Sequence, residues 1–258
     1  MAGFSIDLTG RTALVTGASS GIGRRFATVL AASGANVVVG ARRVERLQEL
    51  KSEIEAAGGR ALAVAMDASD EASTVAAYDA AEDMFGAVDT VVANAGINNT
   101  ATALKQPVED FDAVFALNTR GVFLTAREGA RRMIANGSAE RGNGRVVVIS
   151  SVTADFEVTP GLAAYSASKA AVSQLSRILA REWANRGINV NVIAPGYMQT
   201  EINEEVWDQD AGKSLVASFP RKRIMDIETL DPLLLYLCSD FSAQVTGSIF
   251  AIDDGQTL

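Results

Sequence analysis

Near its beginning the chain carries, at residues 12–23, the sequence TALVTGASSGIG. Its first part, Thr12 to Val15, is an apolar run of the kind that forms a buried strand, and a cluster of glycines follows it. Beyond the glycines, apolar residues recur at helical spacing from Ile22 to Leu30, until Gly34 ends the repeat. The stretch therefore predicts a strand, a tight turn and a helix.

The remainder of the chain repeats this alternation of strand and helix. Further apolar runs rich in Val, Ala and Ile are Val37 to Val39, Ala61 to Ala65, Val88 to Ala93, Val146 to Ile149 and Val190 to Ala194. Helical stretches lie near Arg43 to Ala57, Asp70 to Phe85, Val108 to Ile134 and Ala163 to Arg186. Such alternation is typical of an α/β protein with a doubly wound, mostly parallel sheet and helices on both faces. Ligands of these sheets bind at the carboxyl ends of the strands.

The length and the even rhythm of the pattern indicate one domain that spans residues 1–258. A chain of 258 residues, 48% of them apolar, can bury a large core, and no linker rich in Pro, Gly or Ser divides it. One segment, at about 198–219, breaks the rhythm and contains Trp207. That segment fits either a substrate flap or an ordinary pair of packed helices.

The composition excludes several classes of function. The chain has no histidine, which removes Ser-His-Asp and Cys-His triads and every His-ligated metal site, so we predict no metal centre. A net charge of −8 disfavours nucleic acid as a partner. No apolar run approaches the roughly 18 residues that span a membrane, and the first residues lack the pattern of a secretory leader. We therefore expect a cytoplasmic protein.

The glycine cluster after the first strand has the context of a phosphate-binding loop. Glycines permit a tight turn and a close approach of a pyrophosphate, and the start of the helix adds unpaired N–H groups with partial positive charge. A glycine turn can also be purely structural, but the strand and the helix on either side favour binding. The residues expected to hold the cofactor here are Gly17, Ser19, Ser20, Gly21, Ile22 and Gly23.

The end of the second strand bears on which dinucleotide binds. It reads Val39-Gly40-Ala41-Arg42-Arg43, without the acidic residue that would hydrogen-bond a ribose 2′-hydroxyl. A guanidinium can instead clamp a 2′-phosphate, so Arg42, and after it Arg43, predict NADP(H) in preference to NAD(H). The alternative is that both arginines are solvated residues at a helix start. Asp67, at the end of the third strand, fits either a contact to adenine or a helix cap.

A tyrosine and a lysine share one face of a long predicted helix. Within Tyr165-Ser166-Ala167-Ser168-Lys169 the outer two side chains are i and i+4, roughly 5 to 6 Å apart at Cβ. A neighbouring ammonium and an oxidised nicotinamide both favour the phenolate, so we expect them to lower the pKa of Tyr165 toward the working range. Tyr165 can then give a proton to an alkoxide or take one from an alcohol.

These elements, together with others in the same order, resemble the short-chain dehydrogenase/reductase family along nearly the whole chain. Thr16 to Gly23 matches the family's TGxxxGxG loop, Asn94-Ala95-Gly96 its NAG element, and Tyr165 with Lys169 its YxxxK pair. The remaining matches are Asp67, Asn118, Pro195-Gly196 and Thr200. The resemblance implies a single-domain Rossmann fold with a seven-stranded sheet.

The resemblance also implies roles for individual residues. Ser151 would hydrogen-bond the substrate oxygen, and Tyr165 would transfer the proton. Lys169 would hold the ribose hydroxyls of the cofactor, and Asn118 would position a water in a proton relay. Ser150 is the alternative to Ser151, because the gap to the tyrosine is one residue longer than is usual in the family. Further cofactor contacts would come from Ala68, Asn94, Ala95, Gly96, Pro195, Gly196 and Thr200, and the substrate pocket would include Asn98, Val152, Phe156, Leu162, Tyr197, Met198 and Trp207.

The expected function is hydride transfer between NADP(H) and a ketone or secondary alcohol, with Tyr165 as general acid/base. One alternative is a 3-oxoacyl-carrier-protein reductase of fatty-acid synthesis, since its motif layout is similar. Another is a non-catalytic NADP(H)-binding sensor or scaffold, because fold does not determine function. The intact set of Ser, Tyr, Lys and Asn favours an enzyme. Members of the family pack their long helices and last strand between subunits, which implies a homotetramer.

Overall fold

The computed structural model describes residues 5–199, 207 and 209–258. In that part of the chain, one sheet contains the strands β1 (Thr12–Thr16), β2 (Asn36–Ala41), β3 (Arg60–Ala65), β4 (Thr90–Ala93), β5 (Gly144–Ile149), β6 (Ile188–Pro195) and β7 (Ile249–Ile252). Every pair of neighbouring strands is parallel. The predicted α/β fold with a seven-stranded sheet is confirmed, and the sheet is parallel throughout rather than mostly parallel.

Helices follow the strands as the alternating pattern predicts. They are α1 (Gly21–Ala32), α2 (Val44–Ala56), α3 (Glu71–Phe85), α4 (Val108–Phe115), α5 (Val122–Ala135), α6 (Ser138–Arg141), α7 (Val152–Asp155), α8 (Ala163–Trp183), α9 (Asp210–Ser218) and α10 (Asp231–Cys238). The helix predicted over Val108 to Ile134 is interrupted, because Ala116–Gly121, between α4 and α5, is π-helical. Such wide turns occur often at functional sites, and this one contains Asn118.

The order of the strands locates the binding crevice. It is β3-β2-β1-β4-β5-β6-β7, so the direction of winding reverses between β1 and β4. The connections leave these two strands toward opposite sides, and a crevice opens beyond their carboxyl ends. The glycine loop follows β1, and Asn94 to Gly96 follow β4. Both predicted binding elements therefore flank the crevice.

The alternation of side chains along the strands divides the core into two layers. Val37 and Val39 pack with α1, α2 and α10 on one face of the sheet, whereas Val38 packs with α3, α5 and α8 on the other. Helices cover both faces, which explains why the central strands are apolar runs rather than alternating ones. Among the residues described, no helix combines the length and the apolar character that a membrane span requires.

Gly129 marks a close approach of α5 to the rest of the second layer. A Cβ at this position would lie 2.6 Å from the hydroxyl oxygen of Tyr78 and 2.7 Å from a methyl carbon of Val91. Tyr78 is fully buried and donates its hydroxyl hydrogen bond to the carbonyl of Thr125, at 2.8 Å. The tyrosine therefore has little freedom to move away from an added methyl group.

The substitution Gly129→Ala should lower the free energy of unfolding by about 1–3 kcal/mol, because the methyl group overpacks the core. In an uncrowded helix a change from Gly to Ala raises the free energy of unfolding by up to about 1 kcal/mol. The sign of the measured change therefore shows whether position 129 is crowded. Urea unfolding measures it, with an unchanged m-value as the control for two-state behaviour. A more stable variant would contradict the close packing of α5.

Candidate active site

A cavity of about 620 Å³ lies at the carboxyl ends of the strands. Its walls bring the glycine loop together with the tyrosine and lysine of α8. The predicted site residues that line it are Gly17, Ser19, Ser20, Gly21, Ile22, Gly23, Arg42, Arg43, Asp67, Ala68, Asn94, Ala95, Gly96, Asn98, Ser150, Ser151, Leu162, Tyr165, Lys169, Pro195, Gly196, Tyr197 and Met198. Elements from six different strand ends thus form one site.

Some residues expected in the site do not line this cavity. Val152, the first residue of α7, turns its side chain into the interior and is 1% exposed. Phe156 follows the end of the same short helix and is half exposed. Trp207 packs edge-on against Tyr197, with 6.0 Å between ring centroids. The substrate wall is therefore formed less by the apolar side chains at 152 and 156 than the sequence predicts.

The segment predicted as a flap, at about 198–219, is described in part. Thr200, with residues 201–206 and 208, lies outside the described residues. Residues 210–218 form α9, and Phe219 is buried and stacks on Tyr197 with 5.4 Å between ring centroids. The described part of the segment therefore adjoins the cavity through Tyr197, and both interpretations of the segment stay predictions.

The glycine loop has a backbone that only glycine adopts readily. Gly17 and Gly21 have φ values of +69° and +52°, in the left-handed region. At Gly23 a Cβ would lie 2.5 Å from both the carbonyl oxygen of Gly17 and the amide nitrogen of the Asn94 side chain. Ser20 precedes α1 in an extended conformation and makes no side-chain hydrogen bond to the helix start. The first N–H groups of α1 are thus available to an anion in the cavity.

Thr16 joins the glycine loop to the loop after β4. Its hydroxyl oxygen accepts hydrogen bonds from the backbone N–H groups of Asn94 and Ala95, at 3.1 Å each. The side-chain amide of Asn94 donates in return to the carbonyl of Thr16, at 2.9 Å. The sequence motif does not by itself predict a contact for this hydroxyl, although a polar residue that ends an apolar strand at a glycine loop is a signal for such a role.

The two arginines after β2 take different positions. The Arg43 guanidinium donates to the hydroxyl of Ser19 at 2.9 Å and to that of Ser20 at 2.6 Å. Arg42 also lines the cavity, on the side of Asp67, and its positive charge contributes to lowering the pKa of that carboxyl. The sequence ranks Arg42 first, but Arg43 is the arginine that lies against the glycine loop.

Asp67 does not cap the helix that follows it. Its Oδ1 accepts hydrogen bonds from the N–H of Ser69 at 2.9 Å and from the hydroxyl of Ser69 at 2.7 Å. These bonds, with the charges of Arg42 and Arg120, hold the pKa of Asp67 below its usual value. The cap of α3 is Asp70, which accepts from the N–H of Ser73. The structure therefore excludes Asp67 as the cap of α3. The contact of Asp67 with adenine stays a prediction.

Lys169 and Ser150 connect α8 to the end of β5. The ammonium of Lys169 donates to the carbonyl of Ile149 at 2.8 Å and lies 5.8 Å from the ring centroid of Tyr165. Burial lowers the pKa of this lysine to about 8. The hydroxyl of Ser150 donates to the carbonyl of Lys169 at 3.1 Å and pairs with Ser173 at 3.0 Å. Ser150 is thus engaged in holding the helix.

Ser151 is the serine that meets the tyrosine. Its hydroxyl accepts from the N–H of Thr153 at 3.2 Å and lies 2.9 Å from the Thr153 hydroxyl. Burial raises the pKa of Tyr165, and the neighbouring Ser151 hydroxyl partly offsets this rise. The direction is opposite to the sequence expectation, because desolvation of the buried phenol is the largest effect on its pKa. Thr153, which was not among the residues predicted from the sequence, also lines the cavity.

Asn118 lies behind the cavity wall. It is fully buried, and its Oδ1 accepts from the N–H of Ile97 at 2.8 Å. Its amide nitrogen donates to the carbonyl of Ile97 at 2.9 Å and to the hydroxyl of Ser168 at 3.0 Å. The side chain thus ties the loop after β4 to α8. Its predicted role in positioning a relay water stays a prediction.

The sequence is similar to a known family and to known enzymes. A sequence model of the family described as short chain dehydrogenase matches residues 11–211. The chain is 38% identical to oxidoreductase UcpA of Salmonella typhimurium, over 97% of this chain and 96% of that protein. It is 34% identical to D-threitol dehydrogenase of Mycolicibacterium smegmatis, over 99% of this chain and 96% of that protein.

A solved structure shows the same arrangement of strands and helices. It is that of a gluconate 5-dehydrogenase from Burkholderia cenocepacia J2315 in complex with NADP and tartrate. The TM-score is 0.90 at 35% identity, over 97% of this chain and 96% of that chain. Because the family model matches most of the chain and the relatives extend along almost all of it, this chain belongs to the short chain dehydrogenase family and is an oxidoreductase.

Proposed function

We propose that the protein transfers a hydride reversibly between NADP(H) and a ketone or secondary alcohol, with Tyr165 as the general acid/base. The observation that carries this proposal is that Ser151, Tyr165 and Lys169 line the same cavity as the glycine loop. A dinucleotide and a small substrate can therefore lie side by side, with the proton-transfer groups next to the reacting carbon.

The walls of the cavity fit a nicotinamide dinucleotide. The N-terminus of α1 and the glycine loop suit the pyrophosphate, since positive φ angles and the crowding at Gly23 leave backbone rather than side chain at the surface. Arg43 contacts this loop through Ser19. Arg42 and Asp67 also line the cavity, and there Arg42 would bind a 2′-phosphate and Asp67 would contact adenine. The gluconate 5-dehydrogenase described above was solved with NADP, which supports this choice of cofactor. When bound, the cofactor supplies or accepts the hydride.

The residues of the chain handle the proton and the developing charge. In the reductive direction Ser151 donates a hydrogen bond to the carbonyl oxygen, and Tyr165 gives its phenolic proton to the same oxygen as negative charge develops there. In the oxidative direction Tyr165 removes the hydroxyl proton. Lys169, with its ammonium held by Ile149, would bind the ribose hydroxyls. Asn118 contributes by fixing the loop after β4 against α8, next to this pair.

The alternatives considered from the sequence receive less support. Two of the relatives described above are named for a polyol and an aldonate, which favours a small hydroxylated substrate over a 3-oxoacyl-carrier thioester. A sensor or scaffold fits poorly with relatives that are all named as oxidoreductases or dehydrogenases. We keep the homotetramer as a proposal, supported by the partly exposed apolar side chains of Phe111 on α4 and Ile178 on α8. The cytoplasmic location is likewise an expectation.

Removing the phenolic proton tests the catalytic role. Tyr165→Phe should lower kcat by about 10²- to 10⁴-fold, the usual contribution of a positioned general acid/base. NADPH affinity should stay close to that of the wild type, because the phenyl ring still fills the wall. Absorbance of NADPH gives the turnover, and quenching of protein fluorescence gives the cofactor affinity. Turnover close to the wild-type value would contradict the proposed role.

Substitutions of the two arginines should have different effects on the affinities for NADPH and NADH. Arg42→Ala should weaken NADPH by about tenfold or more, since a charge-assisted contact is lost, and should change NADH affinity little. Arg43→Ala should weaken both cofactors, because Arg43 also holds the serines of the glycine loop. Arg131→Ala, an exposed arginine on α5, is the matched control. If Arg42→Ala weakened the affinities for NADPH and NADH equally, Arg42 would be a solvated residue that does not select the cofactor.

The pKa of Tyr165 gives a direction for the pH dependence. Burial raises it, so the phenolate that accepts the alcohol proton forms only on the alkaline side. We expect kcat/KM for alcohol oxidation to rise with pH from neutral to alkaline solution, whereas ketone reduction, which needs the protonated phenol, should not rise. Parallel pH profiles in the two directions are the measurement. An oxidation rate that falls as pH rises would exclude Tyr165 as the base.

A further inference from the structure

Two hydroxyl groups lie next to each other in the wall of the cavity, and the proposed function uses only one of them. Ser151 and Thr153 both line the cavity, with 2.9 Å between their hydroxyl oxygens. Each residue is less than a tenth exposed. The bonds that these groups make with each other and with a ligand therefore largely decide where their protons point.

The oxygen of Ser151 has two acceptor positions, and the helix that follows occupies one of them. A hydroxyl offers one proton and two lone pairs. As the N-cap of α7, Ser151 accepts the backbone N–H of Thr153 at 3.2 Å. The Thr153 hydroxyl is placed to fill the second position. With both positions filled, the Ser151 hydroxyl can act toward a ligand only as a donor.

A bound carbonyl oxygen decides which hydroxyl of the pair donates to the other. Without a ligand, either oxygen can be the donor at this distance. A ligand oxygen that accepts from Ser151 takes up the single proton of the serine, so the bond between the hydroxyls must then run from Thr153 to Ser151. Hydrogen bonds in such a chain polarise one another, which strengthens the bond to the ligand as negative charge develops there.

The position of Thr153 is fixed by the attachment of α7 to α8. Asp155, the last residue of α7, accepts a hydrogen bond from the hydroxyl of Ser173 on α8, at 2.7 Å. The same hydroxyl pairs with that of Ser150 at 3.0 Å, directly before Ser151 in the chain. Both ends of α7 are thus tied to one place on α8. The short helix therefore holds the Thr153 hydroxyl next to that of Ser151.

We infer that Thr153 is a positioning residue for the proposed hydride transfer, in which its hydroxyl donates to Ser151 and directs the Ser151 proton toward the reacting carbonyl oxygen. This role rests on the proposed function for the identity of that oxygen. The pair also explains how one hydroxyl serves both as a helix cap and as a donor to the substrate, because the cap uses a lone pair and the substrate uses the proton.

Kinetics of ketone reduction test the hydroxyl of Thr153 separately from its methyl group. The probe is hydroxyacetone, with NADPH at saturation. Thr153→Val keeps the shape of the side chain and should lower kcat/KM by about threefold to tenfold, the usual range for one hydrogen bond between neutral groups. Thr153→Ser restores the hydroxyl and should recover most of the wild-type value. NADPH affinity should stay at the wild-type level in both variants, because the glycine loop is unaltered.

A double-mutant cycle shows whether Thr153 acts through Ser151. Ser151→Ala alone should lower kcat/KM by about 10²-fold or more, because it removes a donor to the developing alkoxide. Adding Thr153→Val to Ser151→Ala should cause little further loss, since the group through which Thr153 acts is gone. A further loss as large as that in the wild-type background would refute the inference, because Thr153 would then act independently of Ser151.

Thr125→Val is the matched control for the loss of a buried threonine hydroxyl. Thr125 lies on α5, is buried, and has a hydroxyl without a hydrogen-bond partner among the described residues. The same isosteric change there should leave kcat/KM at the wild-type value. A loss in Thr153→Val that is no larger than the loss in this control would contradict a role for the Thr153 hydroxyl.

The carbonyl resonance of bound hydroxyacetone separates this inference from the proposed function. In a complex with NADP⁺ the keto group receives no hydride, and a ¹³C label at the carbonyl reports the hydrogen bond that it accepts. We expect the resonance to move downfield on binding to the wild type and to Thr153→Ser, and to move less in Thr153→Val.

Each outcome of this measurement bears on one of the two conclusions. A carbonyl resonance that is the same with the wild type and with Thr153→Val would overturn the inference. A difference between these two proteins, in a wild type that does not oxidise NADPH with hydroxyacetone, would contradict the hydride transfer and leave the positioning of Ser151 standing.

Discussion

Thr16 ties the carboxyl end of β1 to that of β4, at the point where the strand order reverses. Gly17 belongs to the same junction, because a Cβ there would lie 2.8 Å from the Cα of Ala95. The two loops can approach this closely only with a polar strand end and glycines at the contact. The loop after β4 continues from the junction to Gly96, behind which lie Asn118 and Lys169. The junction of the two loops therefore positions both the phosphate side and the catalytic side of the cavity.

A second set of contacts holds the proton-transfer groups. The ammonium of Lys169 and the hydroxyl of Ser150 form reciprocal bonds between α8 and the end of β5. Ser151, directly after β5, and Tyr165, one turn before the lysine on α8, are thereby held at a constant separation. Groups carried by a strand end and a packed helix are placed more rigidly than groups on loops, which suits proton transfer at a single oxygen. The same packing removes Lys169 from water and lowers its pKa to about 8.

Much of the fold was predictable from local patterns, and the exceptions have physical reasons. The apolar runs predict the strands to within a few residues, because strands covered on both faces must be continuously apolar. The π-helical turn at Ala116–Gly121 was missed, since one extra residue in a helix leaves the apolar repeat nearly unchanged. Among the residues of the substrate pocket the sequence favoured Val152 and Phe156, whereas Thr153, which lies between them in the chain, lines the cavity. The short helix α7 decides which of these side chains turns inward.

The spacing of apolar residues, the glycine cluster and the Tyr165–Lys169 pair were enough to indicate the fold, the cofactor loop and the candidate acid/base, since each depends on neighbours within a turn or a strand. The direction of the Tyr165 pKa, the contact of Arg43 with the glycine loop and the position of Ser151 in the same cavity wall as the tyrosine came only from the folded chain. Desolvation and hydrogen-bond partners are supplied by residues that are distant in sequence. Local spacing therefore identifies the groups, and the packing of the sheet and helices determines their environment.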